Sequence, residues 1–175
     1  MRLVVVALLL FVSLIPTGAE AKWTEVRSAN FLFVGDAPEG QIREIAQKLE
    51  LFREVMLRAL PGAAVASPVP TVVLVCATER SLRPMTPLFR GNPIELAGFF
   101  QSGEDVNYMA INAEFADAAL QTVFHEYSHA LVANTLGPLP AWVSEGLAEV
   151  YETMEQQRGG RSALSAARRP TTSVC

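Results

Sequence analysis

The chain has 175 residues, of which 50% are hydrophobic and 18% charged, and its formal net charge is −4. That length supports one domain with a substantial core. The apolar fraction excludes a disordered chain, and the mild acidity excludes the basic surface a nucleic-acid binder needs.

The N-terminus has one positive residue, Arg2, then an apolar run from Leu3 to Ile15, Pro16 and the small-residue pattern Ala19-Glu20-Ala21. This is the layout of a secretory signal peptide over residues 1–21, cut after Ala21. The alternative, an uncleaved membrane anchor, needs about 20 apolar residues, and the run is shorter. The mature chain is therefore expected to start near Lys22 and to be periplasmic or secreted, touching membrane only through an uncleaved leader. Cys76 and Cys175 could pair in such a compartment. However, Cys76 ends the apolar run TVVLVC, where cysteine acts as a small hydrophobe, and Cys175 ends a polar tail.

Beyond the leader, NFLFVGD alternates and predicts a short strand over Phe31 to Val34. From Glu39 to Leu60, Ile42, Ile45, Leu49, Phe52, Val55, Met56 and Leu60 recur at three- and four-residue steps, the pattern of an amphipathic helix. Pro61-Gly62 stops it, AAVASPVP reads as a linker, and TVVLVC reads as a strand buried on both faces. Thr78 to Pro93, with three prolines and a glycine, is expected to be irregular loop. ELAGFFQ and NYMAIN, separated by SGEDV, read as an antiparallel hairpin at a sheet edge. A second long helix is expected over Phe115 to Leu136, stopped by Gly137-Pro138, and a third from Pro140-Ala141 to about Gln156. The order β-α-β-loop-β-β-α-α implies an α+β domain over 22–157, a small mixed sheet packed on helices. After Gln157 the apolar periodicity vanishes, so 158–175 is expected to be a disordered or truncated tail.

The second long helix carries HEYSH, residues 125 to 129. Residues four apart share a helix face, so His125 and His129 can direct imidazole nitrogens at one ion, with Glu126 beside them on the same cleft. Composition alone would make this a weak signal. It gains weight because these are the only two histidines in the chain, they fall on an expected helix, and an acidic helix follows. A hydrolytic zinc site needs three protein ligands and an open fourth position. PAWVSEGLAEVYE supplies Glu145 and Glu149, again four apart, among apolar neighbours where carboxylates are costly to bury without a cation. Spacing alone leaves both open as the third ligand; Gly146, and the nearness of Glu145 to the loop joining the helices, favour Glu145.

HEYSH followed by PAWVSEGLAEVYE resembles the gluzincin metallopeptidases, where a HExxH helix is followed by a helix bearing a glutamate ligand, often within W-x-x-E-G-x-A-E. From Trp23 to about Glu155 the chain more closely resembles an uncharacterised bacterial family of exported peptidase-like domains, with HEYxH, P-x-W, EGLAE and an upstream AGFF followed by NYxxIN. The resemblance implies Zn2+ held by His125, His129 and Glu145, Glu126 as base, and Glu149 as a carboxylate orienting a ligand histidine. It also implies a peptide or protein substrate lying along the edge strand at Ala97, Gly98, Phe99 and Phe100, with core packing at least as good a reading for one of the two phenylalanines.

The function these readings favour is zinc-dependent hydrolysis of peptide bonds. Enzymes of this class usually take a Tyr or His from beyond the glutamate helix to stabilise the oxyanion. No histidine remains for that task, and Tyr151 is expected to point to a different face from Glu149. A catalytically weak zinc- and peptide-binding module is therefore the alternative.

Overall fold

The computed structural model describes residues 22–60 and 69–153. The leader, most of the linker and everything from residue 154 on, including the domain boundary expected at 157 and Cys175, lie outside the described residues.

The chain forms β1 (Thr24–Arg27), β2 (Phe31–Gly35), α1 (Glu39–Ala59), β3 (Thr71–Cys76), the short α2 (Glu79–Leu82), β4 (Leu88–Phe89), β5 (Asn92–Pro93), β6 (Gly98–Gln101), β7 (Asn107–Asn112), α3 (Ala116–Leu136) and α4 (Ala141–Glu152). Five strands make one mixed sheet in the order β1-β2-β3-β7-β6, and β4 and β5 pair separately. β3 lies between β2 and β7, parallel to both, while β1 and β6 are antiparallel to their neighbours and form the two edges. This is the α+β class expected, with the antiparallel hairpin at an edge.

The period-2 rule divides the side chains of the sheet between its faces. Phe31, Phe33, Val73, Val75, Met109 and Ile111 turn to one face, where they meet Ile42, Ile45, Leu49 and Phe52 of α1 and Leu120, Val123, Phe124 and Tyr127 of α3. Burying each of the larger side chains contributes about 1.5–3 kcal/mol. Phe52 and Phe124 stack with centroids 4.1 Å apart, joining the two helices. The opposite face is covered mainly at one end, where Leu82 of α2 packs with Cys76 and Ala110, flanked by Leu74, Met85 and Phe99. β3 is thus not buried on both faces along its length: Val72 and Leu74 are only half-buried, because α2 is one turn long and shields only the Cys76 end.

Cys76 is a buried free thiol. Burial first, and Asp36 second, push it up to about 11 against a hydrogen bond from Ser81, so it stays protonated at neutral pH and serves as a hydrophobe.

Three further features of the fold differ from the sequence reading. β1 was not anticipated, the segment expected to be loop contains α2, a 3-10 turn over Arg83–Met85 and the β4–β5 pair, and α4 ends at Glu152 rather than near Gln156. Among the described residues, no helix is long and apolar enough to cross a membrane.

Candidate metal centre

α3 is fixed in rotation by two of the three residues between its histidines. Tyr127 is buried, its ring 5.6 Å from Phe100, 6.0 Å from Phe31 and 6.2 Å from Phe52. Burial, partly countered by Arg53, pushes its hydroxyl up to about 12. Ser128 is fully buried, and its hydroxyl donates to the Phe124 carbonyl at 2.7 Å. With Tyr127 and Ser128 turned inward, His125 and His129 are turned toward the outer side of the helix and remain half-buried.

α3 ends at Gly137, whose φ of 76° is a conformation that side-chain-bearing residues rarely adopt. The chain reverses through Gly137 to Pro140 and returns as α4, which docks on α3 through Ala148 and Tyr151. That docking brings three groups together. The two histidine Nε2 atoms are 3.3 Å apart, and the Glu145 carboxylate stands 3.4 Å from His125 Nε2 and 3.6 Å from His129 Nε2. One donor atom from each of the three residues lies within 4.8 Å of the others, a set that can hold a metal ion. The Glu145 side chain is 59% exposed, so the set is open to solvent on one side.

The outer ring nitrogens are held as well. His125 Nδ1 is 2.8 Å from a carboxylate oxygen of Glu152, and His129 Nδ1 is 2.8 Å from the Ser144 hydroxyl. Such partners fix ring orientation and leave Nε2 free to act as ligand. The carboxylate on His125 is therefore that of Glu152 and not of Glu149, which is exposed. Seven residues separate Glu152 from Glu145, close to two helical turns, so it returns to nearly the same bearing but one turn further along α3 than Glu149. Neither Ser144 nor Glu152 was singled out in the sequence. The i, i+7 recurrence of Glu145 and Glu152 was the available signal.

At about 100° per residue, the surroundings of α3 follow in order. Gln121, on the α4 side, donates to Glu152 at 3.4 Å. The histidines come next, then Glu126, which is exposed, and then Ala119. Ala119 abuts β6: a Cβ on Gly98 would lie 3.0 Å from the Ala119 carbonyl oxygen and 2.9 Å from that of Ala110. The histidines and Glu126 thus lie on the stretch of α3 surface between the bearing of α4 and that of the edge strand.

Of the proposed edge-strand residues, Ala97 precedes β6, and Gly98, Phe99 and Phe100 belong to it. Phe100 packs toward Tyr127 on the α3 face and Phe99 joins the cluster on the other face, so both are packing residues. The Asn112 amide donates to the Ala97 carbonyl at 2.7 Å, which fixes the hydrogen-bonding phase. By alternation, Gly98 and Phe100 direct their own N–H and C=O groups away from β7; Gly98 is buried there and Phe100 half-buried.

The chain matches no model of a known protein family and no curated protein.

Proposed function

We propose that this domain is an exported zinc-dependent peptidase that cleaves an extended peptide lying along β6. One observation carries the reading: the two Nε2 atoms and the Glu145 carboxylate are 3.3 to 3.6 Å apart while both Nδ1 atoms are already engaged. Zinc bonds of about 2.0–2.1 Å at the tetrahedral angle require donor atoms about 3.3–3.4 Å apart, so the residues fit the ion. The donor set, two imidazoles and one carboxylate with no thiolate, is also that of hydrolytic rather than structural sites.

When bound, zinc would polarise a substrate carbonyl and make a water molecule acidic near neutral pH. The remaining work falls to the chain. Phe100, half-buried and with its backbone groups directed away from β7, offers a donor and an acceptor to a peptide strand, aligning it beside the histidines and Glu126. Glu126, between the histidines and that strand, receives the water proton and passes it to the departing amide nitrogen. Glu152 and Ser144 hold the rings so that the ligand nitrogens do not rotate away.

Tyr151 is buried, 8% exposed, and so is not presented to a developing oxyanion. That observation favours a second reading, a zinc- and peptide-binding module with weak turnover. One comparison separates them. Glu126→Gln is expected to retain zinc and fold while hydrolysis of a quenched peptide mixture falls roughly 100- to 10,000-fold, the range for loss of a general base. A wild-type protein that binds zinc but turns over no faster than Glu126→Gln would leave the binding module as the function.

A further inference from the structure

We propose that Trp142 is the specificity-determining wall of this site, receiving a large apolar side chain of the bound peptide; the inference rests on the peptidase reading above. Trp142 is 78% exposed, more than any other large apolar side chain among the described residues. It lies in the first turn of α4, three residues before Glu145, and residues at that spacing are neighbours on a helix surface. The inner face of α4 is occupied by Ala148 and Tyr151, and Ser144 and Glu152 grip the histidines. Trp142 and Glu149 continue around the helix past Glu145, away from α3, at the rim facing away from the packed surface. Because Ser144 bonds His129, Trp142 stands at the His129 end of the metal pair.

The opposite rim is the edge strand β6, where the backbone groups of the half-buried Phe100 point away from β7. A peptide paired with that edge lies between β6 and α4 and carries alternate side chains on alternate faces. Those sharing the α3 face with Gly98 and Phe100 are the ones that can meet the indole. An aromatic plane is suited to an apolar or aromatic partner, and such residues dominate binding where they are enclosed on contact. The charges nearby narrow the choice. Glu145 and Glu149 are exposed on this flank, and the sequence of α4 contains no lysine or arginine, so an acidic side chain is disfavoured.

The chain has two tryptophans, so Trp23→Phe leaves Trp142 as the sole indole reporter. In the zinc-loaded Trp23→Phe, Glu126→Gln protein, short Ala/Gly peptides carrying one Phe or Leu are expected to shift Trp142 emission to the blue. They should bind roughly tenfold tighter than peptides with Gly or Asp at that position. In the otherwise wild-type enzyme, Trp142→Ala should lose a similar roughly tenfold preference in kcat/KM while zinc content stays unchanged. Hydrolysis with an unaltered preference in Trp142→Ala, or binding without an emission change, overturns the assignment and leaves the peptidase reading standing. An emission shift with peptide but no wild-type hydrolysis supports the contact and removes the peptidase reading. Emission that follows protein concentration alone, without peptide, assigns Trp142 to contact between two copies and overturns the proposal.

Discussion

Glu149 and Glu152 lie on the same helix within one turn of each other, yet only Glu152 reaches a ligand histidine, at 2.8 Å from His125 Nδ1. Its side chain is 13% exposed against 59% for Glu145, so the contact is shielded from solvent where that of Glu145 is open. Glu152→Ala is expected to weaken zinc binding roughly 10- to 100-fold, as for loss of an outer hydrogen-bond partner, and Glu149→Ala to leave it unchanged. A competitive chelator titration reads both, and equal losses would show that Glu152 has no special role. The juxtaposition of His125 and His129 was legible because i, i+4 spacing survives any orientation of the helix. Which acid meets Nδ1 was not, since it depends on how α4 slides and turns on α3, and that is set by the packing of Ala148 and Tyr151 rather than by spacing.

Among the elements, β3 and β7 were read to the residue: β3 is a continuous run rich in β-branched residues, and β7 is an apolar stretch bounded by Asn107 and Asn112. β1 was invisible for the opposite reason. Its sequence TEVR buries only Val26 and owes its place to pairing with β2. α2 and the β4–β5 pair are too short to develop a period, and they are held by local devices instead, such as the Thr78–Ser81 capping box. β6 depends on a close approach more than on propensity. A methyl group at residue 98 would press on two backbone carbonyl oxygens that have no freedom to withdraw, those of Ala110 in β7 and Ala119 in α3. Gly98→Ala is therefore expected to destabilise the protein by about 1–3 kcal/mol, the usual range for overpacking, and to raise KM for peptides by moving the edge off the helix. A denaturant midpoint and KM both equal to those of the parent would refute this account of β6.

Across the described residues, the candidate metal site and the fold are linked. α4 supplies one of the residues that could hold an ion and both outer hydrogen-bond partners, and it docks on α3, which supplies the other two. An ion bound there joins the last described helix to the body of the domain, and it stabilises only the folded state. At free zinc near 100 times its dissociation constant, the gain is about 2.7 kcal/mol. Thermal unfolding should therefore move up by several degrees with zinc and back down with chelator. Glu145→Ala should lose most of that response and Glu126→Gln should keep it. A melting temperature indifferent to zinc in the wild type would dissociate the donor set from metal binding.

The turn from Gly137 to Pro140 bears on how readily the third ligand is delivered. Bringing two distant segments together carries a loop-closure entropy that grows with the length of intervening chain. Here the connection between helices is four residues, Gly137 to Pro140, and its reversal begins at a glycine already in the left-handed region. The Glu145 carboxylate is thus confined near the histidine pair by a short tether, so an ion held by the two imidazoles would meet the carboxylate at high effective concentration. Most of the ordering required for chelation is met when the helical hairpin forms, before any ion arrives.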